Sequence, residues 1–213
     1  MTSTISSVEL VCAGQQSVFL AGESGPVWRV VQGIVRLDRH SGPVCQPVQL
    51  ALPGDLIGIE ALCDQPYQLG ASAFTPCRLE AVCSEDLSMH RPLLQQALLQ
   101  HMERSQDMAQ LRTGSVLQRL AHLLALMGLN VTSLGYAQPG EADAIRQALP
   151  ALREVALLVD AKTETVCRAL AQLLPPRSRK GGPVRAVREW SAAAPGRLAS
   201  AWAANVVPLG AAA

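Results

Sequence analysis

Aromatic residues are scarce in this sequence: two Phe, three Trp and two Tyr are only 3% of 213 residues. Recognition of nucleic acid or ligand by ring stacking is therefore not expected as the main mechanism. The signatures of P-loop nucleotide binding, zinc proteases, serine hydrolases and dinucleotide binding are all absent. No nucleophile, base and orienting group can be assembled, so we predict no catalytic residues and no enzymatic activity.

Long apolar runs and paired cysteines are missing as well. The most apolar stretch, residues 120–129, contains His122 and is too short to span a bilayer. The six cysteines show no C-x-x-C spacing, which argues against a zinc site. The first residues lack a basic segment followed by an apolar run. We therefore expect a cytoplasmic protein with reduced thiols and no membrane contact.

The net charge is close to zero, but it is unevenly distributed. There are 18 basic and 17 acidic residues, a net charge of +1. Residues 1–140 hold 8 basic and 11 acidic residues, which gives −3, whereas residues 141–213 hold 10 and 6, which gives +4. This split permits DNA contact through the C-terminal half and argues against strong nonspecific DNA affinity.

Short segments rich in β-branched residues dominate the first third of the chain. We predict strands at residues 8–11, 17–20, 27–31, 34–37, 48–52 and 78–82. Gly or Pro bounds most of them, and Gln32-Gly33 predicts a hairpin turn. Strands spaced this closely indicate a sandwich, a barrel or a double-sheet roll.

A long helical segment follows, because no Gly or Pro occurs between Pro92 and Arg112, and Pro92 suits a first helical turn. Apolar and small residues in it recur at heptad-like spacing. This seam consists of Leu94, Leu98, Met102, Ser105, Ala109 and Arg112. A helix of this length is about 31 Å long, more than a small β domain can easily cover. We predict a dimerisation helix over residues 91–113, with packing on its own domain as the alternative.

The helical pattern is interrupted at Thr113-Gly114-Ser115, where Gly114 is the predicted hinge. A second amphipathic helix is predicted from Val116, ending near Gly128. Residues 130–140 are predicted to form a loop.

Residues 152–171 fit the 20-position pattern of a helix-turn-helix. Ala156 is the small residue where the two helices touch, and Val166 is expected to be buried beneath the second helix. Asp160 falls at the turn position that needs a positive φ, which Asp tolerates better than most residues. The second helix would present its polar residues to the DNA major groove. These are Lys162, Thr163, Glu164, Thr165, Cys167 and Arg168.

Two of these residues have specific base-reading chemistry. Glu164 and Arg168 are four positions apart, so they share one helix face. Arg168 can donate two hydrogen bonds to guanine O6 and N7, and Glu164 can accept one from cytosine N4. The alternative is an ordinary salt bridge between the two side chains.

Residues 163–168, Thr-Glu-Thr-Val-Cys-Arg, resemble the recognition helix of the Crp–Fnr superfamily of bacterial transcription regulators. Residues 32–37 and 53–58 resemble the glycine-marked turns of that family's cyclic-nucleotide-binding-type β-roll. Residues 113–124 resemble its hinge and linker helix. The resemblance extends over about residues 26–174.

The resemblance implies an α+β fold. An N-terminal double-stranded β-roll of the jelly-roll type is expected over residues 1–90, followed by the dimerisation helix. A C-terminal helix-turn-helix domain of the winged-helix type is expected over residues 114–190. Two adjacent prolines follow the second helix of the pair, so the wing is expected to be irregular or missing. Residues 191–213 are expected to be a poorly ordered tail.

The function implied by the resemblance is that of a dimeric, sequence-specific transcription regulator. Its partners would be double-stranded DNA, carrying an inverted repeat of TGA-type half-sites, and RNA polymerase. Glu164 and Arg168 match the family residues that read the TGA sequence. Thr163 replaces the Arg or Val of the two main branches, which leaves the outermost base contact open. The alternative is a ligand-binding or interaction module of the same fold that has lost DNA binding.

The resemblance places the effector pocket at Gly58, Ile59, Glu60, Ala71 and Ser72, with Arg104 reaching from the long helix. Residues 61–77 contain no Arg or Lys to pair with a cyclic phosphate, so we expect no cAMP binding.

Other effectors stay unassigned. Only Cys12 precedes residue 45, which disfavours an iron–sulfur cluster. A small acidic metabolite such as 2-oxoglutarate, held by Arg104 and Arg112, is one alternative. Haem is another, although the spacing of histidines and cysteines singles out no ligand, and we predict no metal-binding residues. Activity without any effector is the third.

Overall fold

The structure is a computed structural model that describes residues 8–42, 44–82, 87–129 and 139–174. All of these residues belong to one compact unit. The described residues end at residue 174, so the expected irregular wing and the tail expected over residues 191–213 lie outside them. In the part of the chain that is described, no helix is long and apolar enough to cross a membrane.

Eight short strands form the N-terminal half of the described chain. They are β1 (Glu9–Cys12), β2 (Ser17–Phe19), β3 (Val27–Gln32), β4 (Val35–Ser41), β5 (Val44–Ala51), β6 (Leu56–Ile57), β7 (Gly70–Ala73) and β8 (Cys77–Val82). One sheet has the order β1-β8-β3-β6 and the other β2-β7-β4-β5, with antiparallel pairing throughout. Val30, Val35 and Leu79 are buried in the core that these strands share. We call this half the β-roll.

A short 3₁₀ helix (Ile59–Cys63) and five α-helices complete the described fold. The α-helices are α1 (Leu87–Arg112), α2 (Val116–Leu126), α3 (Pro139–Ala148), α4 (Leu152–Leu158) and α5 (Thr163–Leu173). The predicted start of the long helix is wrong, because α1 begins five residues before Pro92 and the proline lies in its second turn. Proline is tolerated best in a first turn because it has no N–H to donate to an earlier carbonyl. The α+β fold predicted from the resemblance is confirmed.

The outer face of the β2-β7-β4-β5 sheet is covered by the C-terminal helices. Ile34, Leu50 and Phe74 project from that side of the β-roll into the same apolar cluster as residues of α1, α2, α4 and α5. From the helices, Leu111 and Val155 are fully buried there. Side chains alternate between the two faces of a strand, so this sheet packs on the β-roll core with one face and on the helices with the other.

Candidate nucleic-acid interface

α4 and α5 form the helix pair that the sequence predicts, joined by a sharp turn. Asp160 has a φ of 48°, the left-handed conformation expected at the turn. The Ala161 amide donates to the Ala156 carbonyl across this turn at 3.0 Å. Ala156 is buried between the helices, and Val166 is fully buried beneath α5. The local pattern of small, turn and core residues therefore has the predicted geometry.

The polar residues of α5 form one continuous solvent-facing surface. All six predicted DNA-contacting residues are exposed: Lys162, Thr163, Glu164, Thr165, Cys167 and Arg168. On the opposite side of the helix Val166, Ala169 and Leu170 are buried in the apolar cluster. α5 is thus anchored by one face, and its amino-terminal half presents hydrogen-bonding side chains on the other.

Glu164 and Arg168 do not pair with each other. Among the ion pairs of the described residues, none joins these two side chains. The Lys162 side chain makes no hydrogen bond that caps α5. The helix start therefore presents backbone N–H groups and free charged side chains, the combination that suits phosphate and base contacts.

Two arginines hold the turn between α4 and α5, a role that sequence reasoning assigned to neither of them. Arg112, the last residue of α1, donates from Nε to the Leu158 carbonyl at 3.2 Å and from Nη2 to the Pro47 carbonyl at 3.0 Å. Arg119 of α2 donates from Nη1 to the carbonyls of Val159 and Asp160, at 2.9 and 3.1 Å. The carbonyls of Leu158, Val159 and Asp160 lie at the carboxyl end of α4, where the helix itself supplies no donors, whereas Pro47 is on β5.

The predicted hinge has the conformation that favours glycine. Gly114 has a φ of 80°, and a Cβ built there would lie 2.7 Å from Oε1 of Gln118. The next residue, Ser115, begins α2 with a capping box: its hydroxyl accepts from the Gln118 amide, and the Gln118 side chain accepts from the Ser115 amide. Arg119 donates to the Gly114 carbonyl at 3.0 and 3.1 Å. The junction between α1 and α2 is therefore closely defined.

α1 has two faces of different character. Leu93, Ala97 and Leu111 are buried. Gln100, also buried, exchanges two hydrogen bonds of 2.7 Å with the amide and carbonyl of Leu56 on β6. Along the predicted seam Leu94, Leu98 and Met102 stay 42%, 63% and 58% exposed. The first face thus packs on the protein's own domain. The seam is left uncovered at Leu94, Leu98 and Met102, whereas its last residue, Arg112, is half-buried and bonded within the chain.

The six residues predicted to form the effector pocket are spread over three elements. Gly58 precedes the 3₁₀ helix that holds Ile59 and Glu60, Ala71 and Ser72 lie on β7, and Arg104 lies on α1. Of these six, Ser72 is the one that lines either of the two cavities described for this chain.

The two arginines proposed to hold an acidic metabolite already have partners. Arg104 lies 2.5 Å from an oxygen of Asp107 and 3.3 Å from one of Glu103. Its Nε is 3.0 Å from an oxygen of Asp55, close enough for charge pairing although the angle does not make a hydrogen bond. Arg112 is engaged with backbone carbonyls, as described above. Among the described residues, no group of three or more His, Cys, Asp or Glu side chains could hold a metal ion.

Tyr67 fills the β-roll interior beside Gly58, a feature that sequence reasoning missed. Its ring stacks on Phe19 with 3.9 Å between centroids, and its hydroxyl donates to the Pro26 carbonyl at 2.6 Å. A Cβ at Gly58, which has a φ of 68°, would lie 2.5 Å from the Tyr67 ring. Burial raises the pKa of the Tyr67 hydroxyl. The packing of the Tyr67 ring thus explains why a glycine occupies position 58. The only signal for this packing in the sequence is an isolated tyrosine in a chain with few aromatic residues.

Comparison with known proteins gives structural relatives only. No family model matches the sequence, and no curated protein matches it. A CRP-family transcriptional regulator from Thermus thermophilus is 24% identical, with a TM-score of 0.55 over 77% of this chain and 83% of its own. A CRP/FNR-family regulator from the same organism is 24% identical, with a TM-score of 0.57 over 82% and 91%. FixK2 from Bradyrhizobium japonicum is 24% identical, with a TM-score of 0.54 over 78% and 84%.

At this level of identity the likeness establishes the fold. The chain has the fold of Crp–Fnr superfamily regulators, as the resemblance of its motifs predicts.

Proposed function

We propose that this protein is a cytoplasmic, non-enzymatic transcription regulator that binds DNA as a dimer. It would read an inverted repeat of TGA-type half-sites under the control of a signal received at the β-roll, and it would act on RNA polymerase. The observation that carries the proposal is α5, whose polar residues are all exposed while its apolar residues anchor it. Regulators of this fold from two bacteria support it.

The base contacts are assigned to Glu164 and Arg168. In the major groove Arg168 donates to guanine O6 and N7, and Glu164 accepts from cytosine N4. The open amino-terminal end of α5 and the Lys162 side chain contact phosphates, which position the helix without reading sequence. Thr163 supplies a hydroxyl and a methyl group, so its contact is weaker and less selective than one from arginine.

The dimer forms through the exposed seam of α1. Pairing Leu94, Leu98 and Met102 with the same residues of a second chain covers apolar surface that the β-roll leaves open. The two copies of α5 then lie about 34 Å apart, which is one turn of DNA, and each meets one half-site.

The test is fluorescence anisotropy with a TGA-containing palindrome and a scrambled duplex of equal length. Arg168→Ala should weaken binding to the palindrome by about 1–3 kcal/mol and leave binding to the scrambled duplex nearly unchanged. Arg78→Ala is the matched control, since Arg78 pairs with Glu9 on the surface of the β-roll. Unchanged specificity of Arg168→Ala would refute the base-reading assignment.

The alternative module, without DNA binding, makes a different prediction. Two sequence features motivate this alternative: the irregular wing expected after the second helix of the pair, and Thr163, which departs from the residues of the two main branches. A salt titration separates the two functions, because neutralised phosphates give a steep negative slope of log affinity against log salt concentration. Absence of DNA binding at low salt would favour the interaction module.

A further inference from the structure

A cavity of about 200 Å³ lies where the β-roll meets the helix-turn-helix. Arg36, Ser72 and Phe74 line it from the β-roll, and Arg153 and Glu154 line it from α4. Its lining residues do not include α5 or Tyr67. Its volume admits a small metabolite.

The charged group that dominates this cavity is the guanidinium of Arg36. Its side chain is only 9% exposed. Nε donates to both oxygens of Asp38, at 2.8 and 3.0 Å, and Nη1 donates to Oε2 of Glu154 at 2.5 Å. Among the described residues, Nη2 meets one acceptor, the sulfur of Cys45 at 3.9 Å. A guanidinium has five N–H donors and a thiol is a weak acceptor, so Arg36 retains donor capacity on the Nη2 side.

Glu154 reaches this guanidinium from the other half of the molecule. It belongs to the first helix of the helix-turn-helix, and its Oε1 also accepts from Nε of Arg153 at 3.2 Å. Arg153 in turn donates to the side chain of Gln15 on the β-roll at 2.8 Å. A carboxylate is thus the group that the site already holds, and that carboxylate is one of the ties between α4 and the β-roll.

We propose that this cavity binds a small dicarboxylate, one end of which pairs with Arg36 in place of Glu154. The other end meets Arg153, whose largely exposed side chain lies at the rim. This inference rests on the proposed function, because displacing Glu154 removes one of the ties between α4 and the β-roll and so changes how the DNA-reading helix is held. Glu154 is then an internal competitor of the ligand.

Competition gives an unusual expectation: removal of an acidic residue strengthens the binding of an anion. In isothermal titration of the full chain with succinate at constant ionic strength, Glu154→Gln should bind about tenfold to a hundredfold tighter than the wild type. Arg36→Gln should bind weaker by a similar factor. The matched controls are Glu9→Gln and Arg78→Gln, which break a surface ion pair of 3.2 Å remote from the cavity and should change affinity less than about twofold.

The ligand chemistry is tested with inorganic phosphate in the same titrations. Preference for succinate supports the proposal, and equal binding of phosphate with the same dependence on the variants overturns the carboxylate assignment. Absence of succinate binding in both the wild type and Glu154→Gln overturns the site. If Arg36→Gln fails to fold, Glu154→Gln still tests the proposal, because Arg36 keeps its partner Asp38 in the Glu154→Gln variant.

The structural consequence is tested by hydrogen exchange of residues 152–158. Succinate should accelerate exchange of these residues in the wild type and have no effect on it in Arg36→Gln. If the wild type binds succinate and its exchange rate is unchanged, the release of α4 is refuted. DNA binding measured on the same samples separates the two proposals. If the wild type binds the palindrome but not succinate, this inference is refuted and the proposed function stands. If the wild type binds succinate but not DNA, the proposed function is refuted and the succinate site stands.

Discussion

Two adjacent leucines of α1 allow the dimer to be tested with an internal control. Leu98 and Leu99 are 63% and 64% exposed in the single chain. Successive residues of an α-helix are about 100° apart, so Leu98 lies on the seam with Leu94 and Met102 while Leu99 lies beside it. The two side chains therefore have the same chemistry and the same exposure, and they differ in the face that they occupy.

The expected magnitude follows from the area that the second chain would cover. Leu→Ala removes three carbons, each worth about 0.8 kcal/mol when fully buried. Covering the 63% of Leu98 that is exposed makes its loss cost about 1.5 kcal/mol per chain. A symmetric dimer contains the position twice, so Leu98→Ala should cost about 3 kcal/mol, or roughly a hundredfold in the dimer Kd. Leu99→Ala should leave the Kd within about twofold.

Sedimentation equilibrium over a range of protein concentrations measures both constants, with circular dichroism to check that the variants fold. Equal weakening by the two substitutions would mean that α1 does not associate through the predicted seam. An unchanged Kd for Leu98→Ala would remove α1 from the interface altogether.

Three further predictions concern thiols and the turn. The exposed Cys167 should react with a thiol reagent in the free protein and be protected when the palindrome is bound. Cys63, which is exposed on the β-roll, should react equally in both states. Loss of Cys63 reactivity as well would indicate nonspecific shielding. Burial raises the pKa of the Cys77 thiol to about 12. The folded state then holds this proton more tightly than the unfolded state, so the stabilising effect of the thiol is lost as pH rises from an ordinary thiol pKa of about 8.5 towards 12. In urea unfolding at a series of pH values, the free energy of unfolding should therefore fall less steeply at alkaline pH for Cys77→Ala than for the wild type. Asp160→Val should lower the free energy of unfolding by about 2 kcal/mol, because a β-branched residue resists a positive φ, whereas Asp160→Gly should change it by less than about 1 kcal/mol.

Local signals in the sequence predicted the strands and helices whose side chains alternate clearly. The segment 152–171 is the best case, because small Ala156, turn-forming Asp160 and apolar Val166 are each required by contacts within the helix pair itself. β7 was missed for the opposite reason. Its sequence, Gly-Ala-Ser-Ala, has low strand propensity, and it becomes a strand because β2 and β4 pair with it on both sides.

Side-chain contacts distant in sequence could not be predicted in the same way. Arg36 reads as a polar residue in a short strand, yet it is buried because α4 covers its face of the sheet and Glu154 meets it 118 positions later. Gln100 reads as a solvent-facing residue of α1, yet it bonds the backbone of β6. Such partners depend on which face of the sheet the helices cover. The periodicity of apolar residues along the sequence does not by itself specify that face.

The arginines at the two ends of the hinge set a requirement on any signal that moves the DNA-reading helix. Arg112 and Arg119 together donate to the carbonyls of Leu158, Val159 and Asp160, and Arg119 also donates to Gly114. Rotation about Gly114 would break the Arg112–Leu158 hydrogen bond, which joins α1 to α4. The bonds from Arg119 to Val159 and Asp160 join α2 to the turn after α4, so they lie on one side of the hinge. One hydrogen bond from a charged donor is worth about 1.5–3 kcal/mol, which is less than the roughly 5.5 kcal/mol needed to invert a two-state equilibrium from 1:99 to 99:1. An effector that acts at the β-roll can therefore leave the Arg119 contacts intact and move α2, α4 and α5 as one body, at the cost of the Arg112–Leu158 bond. Such a movement also requires that the ties between the β-roll and α4 be released, and the Arg36–Glu154 ion pair is one of those ties.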